Sequence, residues 1–198
     1  MNASTPLPPS PRAAGGGRSA LPWRYSATAI ALHWLLAVWL CGMAAVGWYM
    51  MSVEDQPGSV VYFQLHKSFG LLLVVAVVAR LAWRLGHRPA ALPASVAAWQ
   101  ARLSLVVQGL LYALMLAIPL SGYLGASHSK SGVQLFGIET PRWALPDHDR
   151  AEQFFGIHGL LVWVLVAAVV LHLLGALKHL LVDRDGVFQR MWLPGGKR

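Results

Sequence analysis

Three stretches of this chain contain no charged side chain for at least 25 residues: between Arg24 and Glu54, between Arg102 and Lys130, and from Gln153 to Leu177. A bilayer core needs roughly 20 apolar residues of helix, so each interval is long enough to cross one. A fourth stretch, residues 60–85, is interrupted by Lys67, Arg80 and Arg84. These sit near its ends, where long basic side chains reach the interface. The chain is 56% hydrophobic and 12% charged, whereas charge runs near a quarter in ordinary soluble domains. The expected fold is all-α, an integral membrane antiparallel four-helix bundle with spans at about 27–51, 60–85, 103–127 and 153–181. Pro119 is expected to bend the later half of the third span.

Residues 1–22, rich in Pro, Gly, Ser and Ala, cannot build a core and are read as a disordered tail. They lack the ordered regions of a signal peptide. The bundle domain is expected over residues 23–182, with a second tail at 183–198. The net charge of +8 follows membrane topology rather than nucleic acid. Arg12, Arg18, Arg24, Arg80, Arg84, Arg88, Arg102, Lys178, Arg184, Arg190, Lys197 and Arg198 all fall on one side of a four-span topology. By the positive-inside rule that side, with both termini, is cytoplasmic. The other side receives Lys67, Lys130, Arg142 and Arg150 among acidic residues, and the long connection of about 127–152 is expected to form a partial cap there. Cys41 is the single cysteine, which excludes an internal disulfide and a thiolate metal cluster.

Four histidines lie inside apolar spans: His33, His66, His158 and His172. His158 and His172 are fourteen residues apart. On one helix this places both rings on nearly the same face, about 21 Å apart along the axis. Polar rings at membrane depth are functional-site candidates by default. With both termini on one side, His33 and His172 each lie several residues in from the cytoplasmic end, and His66 and His158 lie at matched depth near the outer end. Two pairs of imidazoles suit two bis-histidine haems. Proton-relay histidines and a non-haem metal are the alternatives. The spans carry no carboxylate to favour the first, and two separated pairs do not make one tetrahedral cluster. Small residues near these histidines, namely Ala37, Gly70, Gly156, Gly159, Gly175 and Ala176, leave room for a flat macrocycle, although such residues are common at membrane helix contacts.

The other histidines rank lower. His179, seven residues after His172, offers an alternative partner for His33 but lies at the surface beside Lys178. His87 is expected at the interface, and His128 and His148 on the outer face. Lys67, Lys130 and Arg150 are the candidates for attracting an anion there. Lys67 also has a haem propionate, or simply the interface, as a candidate partner.

The segments Tyr25-Ser-Ala-Thr-Ala-Ile-Ala-Leu-His33-Trp34, Leu65-His66-Lys-Ser-Phe-Gly70 with Arg80-Leu-Ala-Trp-Arg84, Pro119-Leu-Ser-Gly-Tyr123, and His158 through Leu171-His172-Leu-Leu-Gly-Ala-Leu-Lys-His179 with Asp185-Gly-Val187 resemble the bacterial four-helix cytochrome b561 family. The resemblance covers nearly the whole chain after the first tail. It implies two haem b groups in the bacterial inner membrane, His33 and His172 ligating the cytoplasmic-side iron and His66 and His158 the periplasmic-side iron. It further implies one of two uses. The first is oxidation of superoxide at the outer face, with electrons passed to ubiquinone. The second is service as the cytochrome b subunit of a dehydrogenase or hydrogenase-type respiratory complex, exchanging electrons with a periplasmic redox partner and the quinone pool.

Overall fold

The computed structural model describes residues 24–87, 92–140 and 143–192. The expected tail at 1–22 lies outside them. Four long helices carry the described chain: α1 (Ala27–Ser52), α2 (Val60–Gly86), α3 (Ala98–His128) and α4 (His148–Lys178). Each is long and apolar enough to cross a membrane, and the chain is an all-α integral membrane bundle. In the most apolar window of α4 only 6% of residues are buried within the protein. Such a surface is stable against lipid, where the helix satisfies its own backbone and apolar side chains face hydrocarbon.

Local chemistry sets the helix ends. Ser26 Oγ accepts from the Ala29 amide at 3.2 Å and starts α1, and Gln100 Oε1 accepts from the Ala97 amide at 3.2 Å at the start of α3. Asp147 caps α4 by accepting from the Arg150 amide at 3.1 Å. Both α3 and α4 begin five residues before the spans expected from charge-free intervals. Arg102, Asp149, Arg150 and Glu152 mark where lipid begins, not where the helix begins. After Lys178 the chain makes a π-helical turn (His179–Asp183).

The apolar core joins α1, α2 and α3: Leu36, Leu73, Val77 and Met115 are buried together, with Trp39, Met43 and Tyr112 packed around them. α3 also lies closely along α4, whereas the backbones of α1 and α2 stand off from α4. At Gly125 the approach is so tight that a Cβ would fall 2.7 Å from the Phe155 ring. Side chains, rather than backbone contact, bridge the separations between α4 and the first two helices.

Each end of the bundle has a small cap. At one end, β1 (Gln134–Leu135) and β2 (Ile138–Glu139) form an antiparallel hairpin with Phe136 and Gly137 at positive φ in its turn. Ser68 fastens it to α2, donating to the Gln134 carbonyl at 3.3 Å and accepting from the Phe136 amide at 2.9 Å. At the other end, a 3₁₀ turn (Phe188–Met191) lies against the start of α1. Trp34 Nε1 donates to the Met191 carbonyl at 2.9 Å, and Arg190 is buried.

Candidate functional site: two facing histidine pairs

The continuous helix α4 presents His158 and His172 about 21 Å apart along one face. Each meets a histidine from another helix. The rings of His33 and His172 have centres 6.2 Å apart at an interplanar angle of 67°. Those of His66 and His158 are 6.2 Å apart at 77°. A metal held by one nitrogen of each ring at about 2 Å, with roughly 1 Å more from nitrogen to ring centre, sets the centres about 6 Å apart. Both pairs therefore have the separation at which two imidazoles can share one metal ion.

The surroundings of the two pairs differ. His158 Nδ1 lies 2.8 Å from the Ile118 carbonyl; a carbonyl only accepts, so Nδ1 carries the proton and the Nε2 lone pair is free. That bond also orients the ring. The same carbonyl accepts from Ser121 Oγ at 2.7 Å. Opposite, His66 Nδ1 is buried and has no hydrogen-bond partner among the described residues. In the other pair, Arg80 Nη2 lies 3.2 Å from His33 Nδ1. The guanidinium also donates from Nε to the Tyr112 hydroxyl at 3.1 Å and from Nη1 to the Ala29 carbonyl at 3.2 Å.

Two glycines that the sequence reading passed over shape the first of these pockets. A Cβ at Gly122 would stand 2.9 Å from His158 Nδ1 and 3.1 Å from its Cε1, and one at Gly47 would stand 3.2 Å from His66 Cε1. At Gly122 a side chain would force the ring to shift, and at Gly47 it would press the ring by a few tenths of an ångström. Gly122 belongs to the Pro119–Tyr123 segment quoted above, and Gly47 follows His33 by fourteen residues, the spacing that also separates the α4 histidines. By contrast, a Cβ at Gly156, Gly159 or Gly175 meets nothing within 4 Å.

The remaining candidates are placed as follows. His179 Nδ1 pairs with Asp185 at 2.7 Å in a small cluster with Asp183, whose carboxylate also accepts from Lys178 at 2.7 Å. His87 Nδ1 donates to the Trp83 carbonyl at 2.9 Å, and its ring stacks on Trp83. His128 donates to the Leu145 carbonyl at 3.2 Å and stacks on Phe154. His148 is exposed at the start of α4. Lys67 donates to the Gly132 carbonyl at 3.0 Å and to Ser131 Oγ at 3.3 Å, tying α2 to the segment before the hairpin. Arg150 pairs with Asp147 at 3.3 Å on the surface. Lys130 is exposed on the same end.

Residues 24–194 match the prokaryotic cytochrome b561 family. Cytochrome b561 homolog 2 of Escherichia coli K12 is 33% identical over 177 residues, which cover 86% of this chain and 92% of that protein. Cytochrome b561 homolog 1 of the same organism is 23% identical over 175 residues, 85% of this chain and 96% of that protein. Heme A synthase 2 of Acidiphilium cryptum JF-5 is 27% identical over 128 residues, 62% of this chain but 35% of that longer protein. Four membrane helices and a match across nearly all of their length place the chain in the prokaryotic cytochrome b561 family, bacterial membrane proteins that transfer electrons through haem b.

Proposed function

We propose that this protein is a transmembrane di-haem b cytochrome that takes electrons from superoxide at the periplasmic face and delivers them to ubiquinone, with both termini in the cytoplasm. His33 and His172 hold the inner iron, and His66 and His158 the outer one. The observation that carries this reading is the occurrence of two histidine pairs with the same 6.2 Å separation of ring centres, one near each end of the bundle. A single structural histidine contact would have no reason to recur at that spacing.

The residues present fit a flat iron porphyrin. The helices that bear each pair stand apart in backbone while their imidazoles face each other. Gly156 and Gly159 near His158 and Gly175 after His172 face open space, where a Cβ would meet nothing within 4 Å. His158 is held in the tautomer that offers Nε2 to a metal. When bound, haem iron supplies reversible one-electron exchange. The helices hold the two sites at fixed depths. Lys67, Lys130 and Arg150 give the outer end positive charge that attracts a small anion. Lys67 does this while its ammonium latches the connection leading into the hairpin.

Purified protein in vesicles containing ubiquinone, exposed to superoxide from outside, tests this reading. Rapid reduction of the haem absorbance bands followed by ubiquinol formation is expected. Failure of superoxide to reduce intact haem, with reduction restored by a co-purifying dehydrogenase or hydrogenase subunit, would move the protein to the subunit class.

A further inference from the structure

The fourteen-residue interval of α4 recurs on the other two histidine helices. On α1 it runs from His33 to Gly47, and on α2 from His66 to Arg80. Fourteen residues return a side chain to nearly the same face about 21 Å away. Each level of the bundle therefore receives one position from each of these three helices. The outer level receives His66, His158 and Gly47, and Gly47 does lie against the His66 ring. The inner level receives His33, His172 and Arg80, and Arg80 does touch the His33 ring. Arg80 thus stands on α2 where the next ligand would be if that helix served both levels.

The chemistry of that position is unusual. Arg80 lies six residues before the end of α2, roughly 9 Å inside it. Its three contacts, Tyr112 Oη, the Ala29 carbonyl and His33 Nδ1, are all with neutral acceptors. Among the described residues no carboxylate forms an ion pair with it. A guanidinium stays charged under all ordinary conditions, and a cation at this depth is costly unless the site uses it. At the outer level the group bonded to the ligand ring is a carbonyl instead. The Ile118 carbonyl accepts from His158 Nδ1, which pushes electron density toward the ring and strengthens it as a ligand, and the Lys67 ammonium points to Gly132 and Ser131.

Resting on the two-haem reading, we propose that Arg80 gives the electron path its direction: its fixed charge, in contact with the His33 ring, makes the inner haem the one of higher reduction potential. A positive neighbour favours the reduced, less positive iron, and a carbonyl accepting from the ligand ring favours the oxidised one. Transfer from the outer to the inner site moves one electron and makes or breaks no bond. The effect rests on the charge and its distance and not on the hydrogen bond: an iron-bound His33 no longer accepts at Nδ1, and the guanidinium keeps its place through Tyr112 and the Ala29 carbonyl.

Optical redox titration of the purified two-haem protein tests this, the outer midpoint being identified as the one that survives in His172→Ala. The inner midpoint is expected to be the higher of the two. It falls in Arg80→Gln while the outer one stays, and most of the fall is recovered in Arg80→Lys. Arg84→Gln, which removes a charge that bonds Gln108 instead of a histidine, shifts it less. If Arg80 were only a structural tie, Arg80→Gln would lower haem content and leave the midpoint of the remaining inner haem unchanged, which would overturn the proposal. A wild-type inner midpoint below the outer one would overturn it without any variant at Arg80. A wild type holding fewer than two haems per chain would instead sink the reading on which it rests.

Discussion

Gly122 and Gly47 lie directly against two of the four membrane histidines. A Cβ at position 122 would lie inside contact distance of His158 Nδ1, the same nitrogen that bonds the Ile118 carbonyl one turn earlier on α3. Gly122→Ala should therefore push the ring off that carbonyl, at a cost of about 1–3 kcal/mol. We expect a lower melting temperature and loss of the outer haem with the inner one kept, read from haem content and thermal unfolding. Gly109→Ala, where a Cβ meets nothing within 4 Å, should change neither. The histidines were legible in the sequence because a polar ring in an apolar span has little other reason to be there, and helix periodicity fixes its depth. Gly122 and Gly47 were not, since a glycine's role depends on what another helix presses against it. Arg80 was read as an interfacial charge because its distance from the span end was visible and its neighbour His33 was not.

At the scale of the element, the four spans could be read from charge-free intervals, but the starts of α3 and α4 could not. Hydropathy reports where lipid stops, while hydrogen bonding to Gln100 and Asp147 decides where the helix starts. The long connection between α3 and α4 was legible only as a cap of unspecified form. Its hairpin depends on a register, Gln134 opposite Glu139 and Leu135 opposite Ile138, and on its attachment to Ser68, two residues past His66. Ser68 is buried and serves as both donor and acceptor for the hairpin backbone. Ser68→Ala removes both of these part-buried hydrogen bonds, a loss of about 1–3 kcal/mol. Faster protease cleavage within 131–137 is the expected outcome; cleavage at the wild-type rate would show that Lys67 and packing hold the hairpin without it.

Across the whole molecule, packing divides the work between two kinds of contact. α1, α2 and α3 share an apolar core, α3 lies closely along α4, and the histidine pairs span the separations from α1 and α2 to α4. That division was beyond reach of the sequence, because apolar residues facing lipid and those facing other helices have the same composition. The docking of Phe188–Met191 onto the start of α1 was equally hidden; residues 183–198 were read as a tail, yet Trp34 and Met191 bond across that join. The central claim is that one long helix serves two haems, each completed by a different partner helix. Haem-to-protein stoichiometry in the wild type and in single alanine variants of His33, His66, His158 and His172 tests it most directly. The account predicts two haems per chain, the same remaining spectrum for His33→Ala and His172→Ala, and a second shared spectrum for His66→Ala and His158→Ala. A single haem in the wild type, or both haems retained in His172→Ala, would contradict it.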